Sequence, residues 1–221
     1  MASRMLHYIF AVEISKRISI SDMDRFIIGC LLPDCSSHSD GSYDIAHFRD
    51  IDVSGDCIKK GINWSLFEKK YSSQIVEDSL YLGYLCHLIA DAVWFKQITD
   101  KYVRIYPKDI RTKYIKRGYE DFQKLNYLLI EEYSVVCPSL PISSIDIDEI
   151  NCELIQTLMQ EFVGDFALQN QYEKNDLSVY PYDAVIDFIN RSVSVCVKEI
   201  NAFRNNDATI DPRIFYTEPR P

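Results

Sequence analysis

The sequence is poor in residues that bend a chain. Its 221 residues hold 7 glycines and 8 prolines, a scarcity that argues against a turn-rich all-β fold. No period of self-similarity recurs, which sets solenoids aside. Basic residues are outnumbered, 24 Lys and Arg against 33 Asp and Glu, for a net charge of -9. With no continuous basic stripe, that balance argues against general nucleic-acid binding. No Cys-x-x-Cys occurs among the cysteines at 30, 35, 57, 86, 137, 152 and 196. An odd count without pairing spacing reads as free thiols in a reducing compartment, so a cytoplasmic location is expected. The apolar run at 80–95 is too short and too polar to span a bilayer. The N-terminal patch "MLHYIFAVEI" carries a histidine and a glutamate that a signal h-region would not. Histidine is scarce too: there are four, and none follows His87.

What is present is helical periodicity and a core-forming share of hydrophobic residues, 47%. Residues 3–18 place Met5, Ile9 and Val12 at helical spacing. Ser21 with Asp24 resembles a capping box for a second helix that Pro33 stops. Residues 33–57, rich in Asp, Ser and Gly, read as a long ordered loop, and a loop of that length is usually anchored or functional. A short helix follows at Trp64–Tyr71, then one long helix over Ser73–Tyr102 that is apolar almost all round. Further helices are expected at 108–133, 147–171 and 182–204, the last with Pro181 at its first position. "CPSLPISSIDID" reads as a linker and "NNDATIDPRIFYTEPRP" as an irregular tail packed across the surface. No linker divides the chain, so residues 1–221 are expected to form one all-α, multi-helix domain around a buried central helix.

That central helix carries "GYLCHLIADAVW", in which His87 and Asp91 interrupt an oily run one helical turn apart, on one face. A buried carboxylate needs a cation or hydrogen-bond donors. Imidazole with carboxylate suits zinc, and also iron or manganese. The same pair could serve as a purely structural His–Asp contact, because HxxxD is a weak motif alone. Upstream stand three more candidate ligands, each bland in isolation: His7 on the first amphipathic helix, Asp34 after Pro33, and His47 in the loop. The loop gives the freedom to bring them to the face of His87 and Asp91. His38, in "SSHSDGSYD", is a further candidate for metal or substrate phosphate, and as readily a plain exposed residue. Asp40, Asp44, Asp50 and Asp52 are ambiguous extra carboxylates. The 15 tyrosines invite an aromatic cage for a choline-like cation, though in a helical protein they serve more often as core and rim.

The ordered set "SRMLHYIFA", "GCLLPD", "AHF" and "GYLCHLIADAVW" resembles the zinc-dependent phospholipase C family, all-helical bacterial phosphodiesterases that share their architecture with the S1/P1 nucleases. "YEDFQKLNYLLIEEY" extends the likeness to residue 133, and the last third carries no matching motif. The resemblance implies that His7, Asp34, His47, His87 and Asp91 are metal ligands, with Asp91 bridging two metals and Asp34 a candidate general base. Two departures stand out. Secreted members use a processed N-terminal tryptophan as a ligand, whereas this chain begins "MASRML" with no sign of such processing. The family's later histidine ligands are missing, and where they should fall Glu120, Asp121 and Asn126 offer oxygens that could equally belong to a solvated helix face. One or two zinc ions are therefore expected.

The function implied is a metal-dependent phosphoric ester hydrolase whose zinc-bound hydroxide attacks phosphorus in a lipid headgroup or small phosphoester. Two rivals stand beside it. An HD-type phosphohydrolase would show an adjacent His-Asp pair, which is absent. A degenerate metal-binding or scaffold protein is the other, prompted by the missing later ligands. Neither substrate nor oligomeric state is legible in the sequence.

Overall fold

Helix α6, Ser79–Trp94, is buried along its entire length, and the other elements are arranged around it. The computed structural model describes residues 2–54, 57–167 and 170–219, with Ser54 and Cys57 entering by their backbone alone. Among the described residues there are nine α-helices and one two-stranded antiparallel hairpin. In chain order they are α1 (Arg4–Ser15), α2 (Met23–Leu31), α3 (Ser42–Ala46), β1 (Arg49–Ser54), β2 (Cys57–Ile62), α4 (Trp64–Lys70) and α5 (Ser72–Glu77), followed by α6, α7 (Lys108–Tyr133), α8 (Ile155–Gly164) and α9 (Tyr182–Asn205). The fold is all-α in class, and no helix of the described residues is long and apolar enough to cross a membrane.

The core is one continuous apolar cluster running from Ala2 to Phe215. Leu80, Leu85, Leu88, Ile89 and Val93 of α6 are at most 1% exposed, and burying each such side chain contributes about 1.5–3 kcal/mol. Helix α2 lies so close to α6 that side chains are excluded at the crossing. A Cβ on Gly29 would sit 2.0 Å from the Leu80 carbonyl oxygen, and one on Gly83 2.1 Å from that of Phe26. The glycines let the two backbones touch, which brings the carbonyl at the end of α2 to the polar face of α6.

Several element boundaries differ from the pattern of the sequence, each for a local reason. The long helix expected over 73–102 is three pieces. Asp78 leaves the helical region (φ -130°, ψ 119°) and its carboxylate caps α6 by accepting from the Leu80 N–H at 2.9 Å. Arg25 of α2 pairs with that same carboxylate, its Nε 2.7 Å from Oδ1. After Trp94 the chain widens into a π-helix, Phe95–Val103, a geometry frequent at functional sites. The cap of α2 is Asp22, which accepts from the Arg25 N–H at 3.0 Å, rather than Ser21. The loop expected over 33–57 contains a 3-10 turn at Leu32–Cys35, the one-turn helix α3 and strand β1. The hairpin was missed although Asp50, Ile51, Asp52 and Val53 alternate acidic with apolar, as a strand does, because the surrounding Asp, Ser and Gly read as loop. Phe48, at φ 47°, sits in the left-handed region and reverses the chain between α3 and β1. The helix expected at 147–171 is confined to Ile155–Gly164, behind a 3-10 turn at Cys152–Leu154. Helices α7 and α9 fall as expected within a residue, α9 beginning directly after Pro181.

The tail crosses the surface as the sequence suggested. Ile210 N–H donates to Glu199 Oε2 at 2.7 Å, and Thr217 bridges to Lys60. The six cysteines whose side chains are described are free thiols, with Cys30, Cys35, Cys86 and Cys196 buried. The thiol of Cys57 lies outside the described atoms.

Candidate metal centre

The close crossing of α2 and α6 orients the first side chain. His87 Nδ1 lies 2.8 Å from the carbonyl oxygen of Cys30, at the end of α2. A carbonyl only accepts, so Nδ1 carries the proton and Nε2 presents a lone pair. Helix α3 does the same for His47, whose Nδ1 is 3.1 Å from the carbonyl of Tyr43, one turn earlier. The two bare Nε2 atoms then face each other at 3.2 Å. Lone pairs at that separation repel unless a cation lies between them. A proton would be one such cation, but burial opposes it: His87 is pushed down to about 4 and His47 well below the ordinary imidazole value.

Asp91 stands one turn beyond His87 on α6, with both residues fully buried. Its Oδ1 accepts the Ala2 N–H at 2.9 Å and lies 3.5 Å from His7 Nε2. Its Oδ2 lies 3.5 Å from His47 Nε2. The carboxylate thus spans two histidines, one oxygen to each. His7, on α1, stacks on His87 with ring centroids 3.8 Å apart. Asp34, in the 3-10 turn that Pro33 helps to set, places Oδ1 4.0 Å from His87 Nε2. Burial pushes its carboxyl up to about 6. Both ring nitrogens of His7, Asp34 Oδ1 and Asp91 Oδ2 are buried without a hydrogen-bond partner.

Those unpartnered atoms decide whether a metal fits. Ligand atoms held about 2.0–2.1 Å from a tetrahedral zinc are roughly 3.4 Å apart. The observed separations of 3.2 and 3.5 Å among His47, His87, Asp91 and His7 match that spacing. Two sets bring their ligand atoms within 4.8 Å of one another: His7, Asp34 and His87, and His47, His87 and Asp91. The donors are nitrogen and oxygen, as zinc, iron or manganese takes. The residues present therefore fit a divalent cation.

The model of the family described as zinc dependent phospholipase C matches residues 6–128. The chain belongs to that family. No curated protein and no solved structure matches it significantly. All five side chains just described lie within the span matched to zinc-dependent phospholipase C, while α8 and α9 lie beyond it.

The other candidates scatter. His38 is not part of either set; its ring packs on Tyr43 at 3.8 Å, and burial lowers its pKa. Glu120 is exposed. The Asp121 carboxylate, buried on α7, is occupied by the N–H groups of Ser178, Val179 and Tyr180 at 2.6–3.1 Å. It fixes the turn into α9, a use that its place in an apparent substitute for the missing ligands did not reveal. Asn126 is 6% exposed with an unpartnered Oδ1, and it borders a cavity of about 340 Å³ together with Asp34, Arg4 and Asp165. Of the remaining loop carboxylates, Asp40 accepts from Ser42 and Asp50 from Asn63 and Tyr216.

Sequence reasoning missed the supports of the site. Tyr43 stacks on His47 with centroids 3.9 Å apart. Its i, i+4 spacing from His47 on a short helix was the available signal, but α3 was not anticipated. The Cys30 carbonyl and Ala2 N–H are backbone groups, for which a sequence carries no signal. Arg4 is likewise unforeseen; it holds Asp165 and Glu161 at 3.0 and 2.9 Å. A second cavity, of about 330 Å³, opens on the far side of Tyr119 and Phe122 and is walled by Tyr43, Trp94, Phe95 and Tyr180. Both cavities are within the size range of ligand pockets, about 300–1,000 Å³.

Proposed function

We propose that this member of the zinc-dependent phospholipase C family is a phosphodiesterase. In this reading His7, Asp34, His47, His87 and Asp91 hold one or two zinc ions, with iron or manganese as alternatives, and residues 1–221 act as one helical unit. The observation that carries it is the pair of bare Nε2 atoms facing each other in a dry site beside a carboxylate with an unpartnered oxygen. A cation bound there supplies the Lewis acidity that activates water and offsets charge on a phosphoryl group. The chain's own groups do the rest. The Cys30 and Tyr43 carbonyls hold His87 and His47 in the tautomer that offers Nε2. Asp34 Oδ1, buried at the wall of a cavity and poised near neutrality, is the acceptor for the proton of an attacking water. The apolar shell from α1, α2 and α6 keeps bulk water from competing for these groups.

The substrate in this proposal is a phosphodiester of a lipid headgroup or small metabolite. The free thiols suit a reducing compartment, so a cytoplasmic setting is part of the same reading. Family membership favours it over an HD-type phosphohydrolase. The test is to measure bound metal and hydrolysis of bis(p-nitrophenyl) phosphate for the purified chain and for His87→Ala and His47→Gln. Both variants should lose metal and rate together. A chain that takes up no zinc, manganese or iron, or variants that keep full metal and rate, would overturn the reading and leave a scaffold role.

A further inference from the structure

Arg49 begins β1, two residues after His47, at the mouth of the aromatic cavity of about 330 Å³. Its backbone is pinned by register with buried Ile62 across the hairpin. Its guanidinium lies over the Phe95 ring, 5.1 Å from the centroid. Among the described residues no carboxylate or hydrogen-bond acceptor engages that guanidinium. Other arginines of this acidic chain are engaged: Arg4 with Asp165 and Glu161, Arg25 with Asp78, Arg104 with Asp100. A planar cation with five N–H donors, half-buried and unpaired beside a cavity, is an anion receptor in geometry and charge.

Two neighbours strengthen that reading. Tyr43, 1% exposed, lines the same cavity, and its buried hydroxyl has no hydrogen-bond partner. Lys60 of β2 borders with Arg49 an adjoining hollow on the other side of Phe95, so positive charge continues outward from the mouth. Asp44 reaches the rim but is exposed and forms no ion pair with Arg49. The aromatic walls alone would welcome a quaternary ammonium group. A fixed guanidinium in the mouth reverses that preference.

We propose that Arg49 is a specificity-determining residue that selects phosphodiesters whose organic group carries an anionic substituent of its own, and disfavours those bearing a quaternary ammonium. This rests on the phosphodiesterase reading for the place of the phosphodiester. Tyr43 stacks on His47 and borders this cavity, which shares Tyr119 and Phe122 with the cavity that Asp34 lines, so a diester at the metal centre would extend past these two rings. The second anion, a carboxylate or phosphate, then meets the Arg49 fork.

The test is calorimetric titration of the zinc-loaded full chain with two soluble diesters, glycerophosphoinositol 4-phosphate and glycerophosphocholine. The first should bind at least about tenfold more tightly, a difference of about 1.4 kcal/mol. Arg49→Gln should bring the two to within about twofold, Arg49→Lys should keep part of the preference, and Arg49→Glu should invert it. Cosedimentation with phosphatidylcholine vesicles, with and without phosphatidylinositol 4-phosphate, separates the sources. An Arg49-dependent preference on soluble diesters, on vesicles or on both supports the proposal and says where the group resides. Equal binding by the wild type, a preference for choline, no binding of either, or a preference that survives Arg49→Gln overturns it. Hydrolysis of bis(p-nitrophenyl) phosphate, which has no such substituent, reports on the phosphodiesterase separately. If the wild type shows the anionic preference but no hydrolysis, the selectivity stands and the enzyme reading falls.

Discussion

Asp91→Asn should lower stability without metal and lower it further in zinc. Without metal, Asp91 is a fully buried carboxylate; burial raises its pKa, but nearby positive charge with His7 and His87 holds it well below the usual carboxylate range. The fold therefore favours the ionised form, and removing the charge weakens the bond from the Ala2 N–H and costs about 1.5–3 kcal/mol, of which the amide recovers only part. Shape is kept, and the new amide can donate to the Nε2 of His47 or His7, each 3.5 Å from an Asp91 oxygen. With metal the loss grows. Wild type in zinc at 100 times its Kd gains about 2.7 kcal/mol from binding the folded state alone. Losing even a supporting residue of a metal site costs about 10–100-fold in affinity, and losing a charged ligand costs no less. At the same zinc the variant then gains only about 0.4–1.4 kcal/mol. Net of that loss, its zinc-induced rise should be smaller by about 3–9 °C for a chain of this size. Thermal melts of both proteins in EDTA and in excess zinc, with elemental analysis of the same samples, give the four numbers. In EDTA the variant should melt lower than wild type, and its zinc-induced rise should be the smaller of the two. Wild type whose melting is indifferent to zinc, or a variant that gains as much from zinc as wild type, would refute the reasoning.

Two further predictions concern the scaffold. Glu68 lies beside buried Glu199, and burial, with the Glu199 charge behind it, pushes its carboxyl up to about 8 from an ordinary 4.5. A raised acid pKa means the unfolded chain releases its proton first, so stability is lost as pH rises from about 4.5 to about 8, by on the order of a few kcal/mol. Glu68→Gln should flatten that decline, and equal slopes in melts from pH 5 to 9 would contradict it. Gly83→Ala would drive a Cβ to 2.1 Å from the Phe26 carbonyl oxygen, forcing α2 from α6. It should cost at least about 1–3 kcal/mol in denaturant unfolding and weaken zinc binding through the displaced Cys30 carbonyl, whereas near wild-type values of both would show that the crossing tolerates separation.

The parts of this protein that a sequence discloses are those set by periodicity and by misplaced polarity. Helix α6 was legible because a run buried on every side leaves no other explanation for its apolar composition, and His87 and Asp91 because titratable groups are costly there. The breaks around it were not. Asp78 reads as one more polar residue on a helix until its carboxylate is seen to cap the next one, and a π-helix keeps enough of the helical rhythm to pass for its continuation. Hairpin β1–β2 hid within a stretch whose turn residues looked like loop. That omission concealed Arg49, because only the register with Ile62 fixes where its guanidinium stands.

The oxygens offered where the family's later ligands are missing show how far residue type can mislead. Asp121 and Asn126 lie five apart on α7, and from the sequence they were interchangeable candidates. In the structure the Asp121 carboxylate is saturated by three successive N–H groups, so a cation there would have to displace hydrogen bonds that hold Tyr180 against Trp94 and Phe122. Asn126 keeps an unpartnered oxygen at the cavity wall it shares with Asp34. What separates them is the competition for each oxygen, which depends on a turn 57 residues downstream of Asp121. A candidate ligand can be nominated from its type and spacing, but whether its lone pairs are vacant is settled by tertiary contacts. Here those contacts leave His7, Asp34 and Asp91 with vacant atoms and take them from Asp121.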